Sequence, residues 1–256
     1  MAARMDIIGV IPARYNAVRL RGKPLIKING IPLIQWTFAN ASRASLLTRL
    51  IVATDDRRIF HTVQRFGGQA ILTSSNCQSG TDRVAEVAAK IKGDIFVNIQ
   101  GDEPLLHPSV INGLVRIMIK RKNIHMATAG YPIKHIRDLK DPHTVKVVVD
   151  RKANAHYFSR SAIPCPRDQQ LLRTGLKRRY FLKHLGVYAY RRDFLRKFMK
   201  LPQSVPERLE KLEQLRALDS GYKIQVIRAR YDSPGIDVYE DIKNVEKILK
   251  QGSSAS

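Results

Sequence analysis

Cysteine is scarce in this chain: Cys77 and Cys165 are the 2 in 256 residues, far apart and in no CxxC arrangement. That excludes a disulfide framework and a thiolate zinc site, and leaves two reduced thiols. No apolar run approaches the roughly 18 residues of a membrane span, and the N-terminus has no apolar signal region. The sequence therefore reads as cytoplasmic, with no membrane insertion. Aromatic residues make up only 7% and hydrophobic residues 44%, the balance of an ordinary α/β protein with a sizeable core. Acidic residues are few, 22 against 45 Lys and Arg, for a formal charge of +23. Such a charge favours polyanions in general, yet the basic residues are dispersed. The dense spots, Lys120–Lys122 and Lys177–Arg179, span three residues each and read as solvated surface rather than a specific nucleic-acid footprint.

Apolar strand-like runs alternate with helical patterns through the first half, which predicts a largely parallel sheet covered by helices on both faces. Strands are expected at Met5–Ile11, Leu50–Ala53, Gln69–Leu72 and Ile95–Ile99. Helices are expected from Leu33 behind Pro32, around Ile59–Phe66 behind the cap Thr54-Asp55-Asp56, and over Thr81–Ile91 and Ser109–Ile119. After Met126 the pattern changes. Extended segments at Ala127–Ile133, Val145–Val149 and Phe181–Tyr190 predict an antiparallel subregion inserted into the parallel sheet. Helices follow at Arg191–Lys200 and Pro206–Leu218, a strand at Ile224–Ala229 and a last helix at Tyr239–Leu249.

The loop after the first strand, PARYNAVRLRGKPL (Pro12–Leu25), has neither GxxxxGK[ST] nor GxGxxG, the two glycine-based ways of binding phosphate there. The alternative is to neutralise a polyphosphate with side chains: Arg14, Arg19 and Lys23 are spaced to converge on a triphosphate. On charge alone, that cradle and a solvated basic loop are both open. NIQGDEP (Asn98–Pro104) carries Asp102 and Glu103 to the same sheet edge, where adjacent carboxylates suit Mg²⁺; the competing reading is a simple turn at Gly101-Asp102. GIDVYED (Gly235–Asp241) sets Asp237 before the last helix, as a cap or a second metal carboxylate. QSGTDR (Gln78–Arg83) joins a strand to a helix, offering backbone N–H groups and the Ser79 hydroxyl to a ligand, or a helix cap at Ser79 or Thr81. FLKHLGVYAY (Phe181–Tyr190) puts His184 and Tyr188 on one strand face.

Taken in order, IPARY, RLRGKPL, VATDD, QSGTDRVAEV, VNIQGDEP, VKVVVD, YFSRSAIP, KHLGVYAYR, LEKLEQLRAL and GIDVYED run through nearly the whole chain and resemble the 3-deoxy-D-manno-octulosonate cytidylyltransferases, or CMP-Kdo synthetases. The resemblance implies a Rossmann-like nucleotidyltransferase fold, a three-layer sandwich with a mixed, mostly parallel sheet and an antiparallel insertion subregion. It implies one domain over 1–250, with 127–200 supplying sugar binding and dimerisation and 251–256 a disordered tail. It implies a homodimer that uses Mg²⁺ to couple CTP to Kdo, activating the sugar for lipopolysaccharide biosynthesis with loss of pyrophosphate. On this resemblance Ala13, Arg14, Arg19, Lys23, Gln78, Ser79, Gly80, Arg83 and Gln100 meet the nucleotide. Asp102 and Asp237 would hold the metal; they and the cations Arg14 and Lys23 carry the catalytic work. Arg160, His184, Tyr188, Glu213 and Gln214 would meet the sugar acid.

Three departures stand out: Arg21 where the family has proline, Cys77 where it usually has histidine, and GIDVYED for GVDTPED. The competing expectations are a cytidylyltransferase for another acidic sugar such as a sialic acid, a glycosyltransferase sharing the fold, or a basic nucleic-acid-binding protein. Gln100-Gly101-Asp102-Glu103 is not the DxD of metal-dependent glycosyltransferases.

Overall fold

The computed structural model describes residues 5–16, 20–236 and 238–253, with backbone only at 250–253. Two of the expected site residues, Arg19 and Asp237, lie outside the described residues. The chain groups into two compact units, residues 1–112 with 231–256, and residues 113–230.

The first unit begins with β1 (Ile7–Ala13), a 3-10 turn at Lys23–Leu25 and a two-residue ribbon of β2 (Lys27–Ile28) and β3 (Ile31–Pro32). There follow α1 (Leu33–Ser42), β4 (Arg49–Thr54), α2 (Arg57–Arg65), β5 (Gln69–Leu72), α3 (Gly80–Lys90), β6 (Ile95–Asn98) and α4 (Pro108–Lys120), whose chain passes into the second unit. Strands β6, β1, β4 and β5 lie side by side and all parallel, with Val10 paired to Ile51 on one side and to Asn98 on the other. A central parallel strand is buried on both faces, and the unbroken apolar run of β1 follows from that. Asp56 caps α2 by accepting from the N–H groups of Arg58 and Ile59, as the sequence predicts. Ser79 caps α3 in a reciprocal box with Asp82.

The second unit holds β7 (Met126–Pro132), α5 (Ile136–Lys140), β8 (Lys146–Val149), β9 (Ala155–Ser159), α6 (Gln169–Lys177), β10 (Leu182–Arg191), α7 (Arg192–Phe198), α8 (Val205–Glu210), α9 (Leu215–Asp219) and β11 (Ile224–Arg228). Its sheet is mixed: β11 runs parallel to β7, β7 antiparallel to β10, and β8 antiparallel to both β10 and β9. The predicted antiparallel subregion is therefore present, inside a unit that extends beyond 127–200 on both sides. The chain then returns to the first unit as α10 (Tyr239–Ser253), where Ile242 and Val245 pack with Leu20, Ile28, Leu33 and Ile236. Among the described residues no helix is long and apolar enough to cross a membrane.

Two expectations are corrected. The continuous helix Pro206–Leu218 is two short ones, because Lys211 takes up the left-handed conformation (φ 54°) and ends α8. A 3.6-residue pattern does not register that break; the buried Glu207, bonded to the Arg216 guanidinium, ties the two pieces together. The tail expected at 251–256 is helical as far as Ser253, because Leu249 still packs on the core cluster and each added residue extends an existing helix cheaply.

Lys146 is the most fully buried cation of the second unit (0% exposed), and its Nζ donates to the carbonyls of Asp141, Thr144 and Arg160. Burial pushes its pKa down, and three acceptors satisfy the ammonium protons. Lys146→Met would take the ammonium donor from the Thr144 and Arg160 carbonyls, while the Asp141 carbonyl keeps the Thr144 N–H, and is expected to destabilise the chain by about 3 kcal/mol. Urea unfolding should show a lower midpoint at unchanged slope; an unshifted midpoint would disprove the clasp.

Candidate active site

At the carboxyl ends of β1 and β6 the first unit contains a cavity of about 360 Å³. Its walls are Pro12–Arg14, Leu20 with Lys23 and Pro24, the Cys77–Gly80 segment with Arg83, and Gln100–Asp102. Every described residue expected to meet the nucleotide is thus on one cavity, which is where the switch from strand to loop in a parallel sheet opens a crevice.

The loop between β1 and the 3-10 turn is shaped by two glycine requirements. Gly22 caps the turn at φ 71°, with its N–H on the Tyr15 carbonyl at 2.7 Å, and a Cβ there would press on the Tyr15 ring. Gly101 lets the β6 loop pass so close to β1 that a Cβ would lie 2.9 Å from the Pro12 carbonyl. Tyr15 is braced by the Arg58 guanidinium, 3.4 Å from the ring centroid, with Arg21 at 5.8 Å on the same ring. Arg58 is itself held by the Asp56 carboxylate through bonds of 2.6 and 3.0 Å, and these bonds keep Asp56 below the usual carboxylate range. Arg21, the departure in RLRGKPL, thus contributes a second cation to the Tyr15 ring.

Lys23 is nearly buried, and its Nζ lies 2.6 Å from Asp102 Oδ2. The cation expected on the triphosphate and the carboxylate expected on the metal face each other and form an ion pair. Asp102 also accepts, through its backbone carbonyl, the N–H of Ile236 at 2.9 Å, which docks the GIDVYED segment against NIQGDEP one residue before Asp237. Among the described residues no group of three or more His, Cys, Asp or Glu could hold a metal. Mg²⁺ commonly takes one or two carboxylates and fills its shell with phosphate oxygens and water, so the donor set Asp102 with Asp237 fits it.

The α3 side of the cavity differs from expectation. Instead of offering their N–H groups to a ligand, Gln78 and Ser79 donate them to Asp82 Oδ2 at 2.7 and 2.8 Å, and the Ser79 hydroxyl accepts from Asp82 N. The dipole of α3 already has its anion, a built-in carboxylate. Arg83 lines the cavity but is buried, with its guanidinium bonded to Asp55 at 2.8 Å, Thr73 at 2.7 Å and the Ser74 carbonyl; it anchors the loop rather than waiting for phosphate. Sequence reading took Asp55 as part of a cap, and its pairing with a residue 28 positions away has no local signature. Gln100 remains on the wall, with its amide N donating to Asn98. Cys77 donates to Glu86 Oε2, and burial beside that carboxylate pushes the thiol up to about 11, so it is no nucleophile.

The expected sugar residues lie in the second unit. A register shift in β10 between Leu185 and Tyr188 still leaves the His184 and Tyr188 rings 5.2 Å apart, as expected for one face. His184 Nε2 bonds the Thr128 hydroxyl at 2.9 Å, and Phe158 stands edge-on to the ring at 5.1 Å. Arg160 gives Nε to the Glu210 carbonyl and one Nη1 proton to that of Pro142, leaving Nη2 for a carboxylate. Gln214 caps α9; it is 4% exposed, and its Nε2 has no hydrogen-bond partner among the described residues. Its amide protons are thus available to a polar ligand or to a water. Glu213 precedes it, partly exposed.

A cationic loop facing a strand-end carboxylate, in a crevice of a parallel α/β sheet, defines a nucleotidyltransferase-type site. The cytidylyltransferase family model matches residues 8–224. A 3-deoxy-manno-octulosonate cytidylyltransferase of Syntrophobacter fumaroxidans is 47% identical over 250 residues, 96% of this chain and 98% of that one. Its namesake in Trichlorobacter lovleyi is 42% identical over 254 residues, 97% and 100% of the two chains. The solved structure of a CMP:2-keto-3-deoxy-manno-octonic acid synthetase complexed with CTP superposes with a TM-score of 0.90 at 41% identity, covering 96% of this chain and 99% of that one. A 4-diphosphocytidyl-2C-methyl-D-erythritol synthase from Anaerococcus prevotii shares the fold (TM-score 0.64, 15% identity, 96% of each chain). The chain belongs to the cytidylyltransferase family, and within it to the 3-deoxy-manno-octulosonate cytidylyltransferases.

Desolvation pushes the His184 imidazole down to about 3, although part of the ring remains at the surface. With the folded value below the unfolded one, the unfolded chain binds a proton that the folded chain does not. Stability contributed by neutral His184 is therefore present above about pH 6.5 and falls on acidification by at most about 1.4 kcal/mol per pH unit, less for the partial exposure. NMR should show the His184 ring protons flat from pH 8 to 5; a midpoint near 6.5 would refute the buried neutral ring.

Proposed function

We propose that this chain transfers CMP from CTP to the anomeric hydroxyl of Kdo, releasing pyrophosphate and activating the sugar for lipopolysaccharide biosynthesis. The observation that carries the reading is the Lys23–Asp102 pair inside the cavity at the ends of β1 and β6, in a chain so closely matched to a synthetase complexed with CTP.

In the reaction the anomeric oxygen forms a bond to the α-phosphorus as the bond to the bridging oxygen breaks, pyrophosphate carries the electron pair away, and the hydroxyl proton is released to solvent. The protein's part is to align the reactants and to offset charge on phosphate oxygens. Arg14 and Arg19 gather the triphosphate, and Lys23 exchanges its carboxylate partner for the leaving phosphates. Gln78–Gly80 and Gln100 form the wall against which the nucleoside lies. Arg160 Nη2 is directed to the sugar carboxylate, His184 stays neutral beside Tyr188, and Glu213 with the Gln214 amide takes sugar hydroxyls. Asp102 and Asp237 are the residues that would hold Mg²⁺, which when bound polarises the α-phosphate and lowers the pKa of the attacking hydroxyl. The same reading carries a homodimer, by the resemblance of the motifs, and a cytoplasmic location, where CTP is made.

Kdo-dependent release of pyrophosphate from CTP and Mg²⁺ is the expected result; release only with a sialic acid would overturn the choice of sugar. Asp102→Asn is expected to lower kcat by about 10²–10³-fold, the size of losing one electrostatic group at a reacting centre, with circular dichroism unchanged. Turnover like the parent's would remove Asp102 from the chemistry.

A further inference from the structure

The second unit has a groove that the transfer reaction does not use. It is a cavity of about 350 Å³ lined by Tyr131, Pro132, Lys134, Arg179, Arg228, Ala229 and Arg230. Four of these seven residues are cations and none is acidic. All four are exposed, and Tyr131 gathers one more. The Nζ atoms of Lys134 and Lys183 lie 5.4 and 5.8 Å from its ring centroid, with Lys183 directly opposite Tyr131 in the β7–β10 ladder. The lining thus carries four cations and no carboxylate, a positive potential that an anion offsets.

Arg179 supplies an independent sign. It follows α6 in a left-handed conformation, φ 59°. Its N–H reaches the Leu176 carbonyl at 3.0 Å, and that of Tyr180 reaches Gly175 at 2.8 Å, the hydrogen-bond pair of a Schellman helix end. Glycine is the residue that position favours, since a side chain there strains the backbone. An arginine stands at that position, and Arg228 Nη2 donates to its carbonyl at 2.7 Å; both residues line the groove. Strain held in place by surrounding bonds is characteristic of positions kept for binding.

We propose that this groove is a second anion site, which takes a small multivalent phosphate such as inorganic pyrophosphate. Its concave shape and volume lie in the range of small-ligand pockets, and its guanidinium groups offer the forked donors that phosphate oxygens accept. An extended nucleic acid would need a flatter and longer basic track than these residues form.

Calorimetric titration of the full chain with inorganic pyrophosphate, in metal-free low-salt buffer, tests this. The variants are Arg179→Gly and the double change Lys134→Gln with Arg230→Gln, none of which touches the transfer site. The parent should show two classes of site, one of them about tenfold weaker in each variant, a loss of one charge-assisted contact. Arg179→Gly relieves backbone strain, so its melting temperature should equal or exceed the parent's while its affinity falls. Pyrophosphate binding identical in parent and variants overturns the proposal, as does a lower melting temperature for Arg179→Gly, which would make the side chain a structural one. Duplex RNA that binds more tightly than pyrophosphate and is lost in the same variants would also overturn it, in favour of a nucleic-acid surface.

Discussion

The close passage of the β6 loop over the end of β1 is the constraint on which the site depends. Parallel pairing of β1 with β6 sends both strands' following loops to one edge, and the register Val10 to Asn98 fixes how far each loop projects. Gly101 then lies where a Cβ would come within 2.9 Å of the Pro12 carbonyl, so the two loops share one wall. Thr37 adds a hydrogen bond from α1 to the Gly101 carbonyl, fixing the loop from the other side. Only with the loops this close can Lys23, eleven residues after Pro12 in sequence, reach Asp102. Gly22 in its left-handed turn supplies the last bend.

Much of this was legible in the sequence because it depends on short-range rules. The apolar runs of β1, β4 and β6 mark central parallel strands, Asp56 and Ser79 read as caps, and Gln69–Leu72 falls on β5 to the residue. What escaped depends on partners far apart in the chain or on one backbone angle. The Lys146 clasp joins Asp141, Thr144 and Arg160 across a turn and a strand, and no period in the sequence marks it. Strand β9 and helix α5 have only five residues each, and Lys211 breaks a helix through a left-handed φ that lysine rarely adopts. The site residues were named by motif resemblance more than by physics. From charge alone the loop Pro12–Leu25 is equally readable as solvated surface; the structure adds that Lys23 is nearly buried on Asp102, which takes that one cation out of the solvated class.

The proposed function gives phosphate recognition to side chains, and the geometry of α3 is consistent with that. In glycine-rich phosphate loops the free N–H groups at a helix N-terminus do the binding. Here the N-terminus of α3 borders the cavity, but Asp82 accepts the N–H groups of Gln78 and Ser79, and a phosphate arriving there would meet a carboxylate. Arg83 is likewise withdrawn, bonded to Asp55 and Thr73. Among the described residues, the other cations on the cavity wall are Arg14, exposed on its rim, and Lys23.

That allocation has a consequence for the ligand-free protein. A nearly buried ammonium needs a counter-charge, and Asp102 provides it at 2.6 Å. The pair keeps cation and carboxylate in place before substrate arrives, at the cost of an ion pair that must part when it does. Under the proposed function a triphosphate would compete with Asp102 for Lys23, and a divalent cation would compete with Lys23 for Asp102. Under the proposed function the two ligands together would offer each partner a replacement charge, and by linkage each would raise the other's affinity by the same factor. A backbone cradle of N–H groups has no carboxylate to release and would not by itself supply such a coupling.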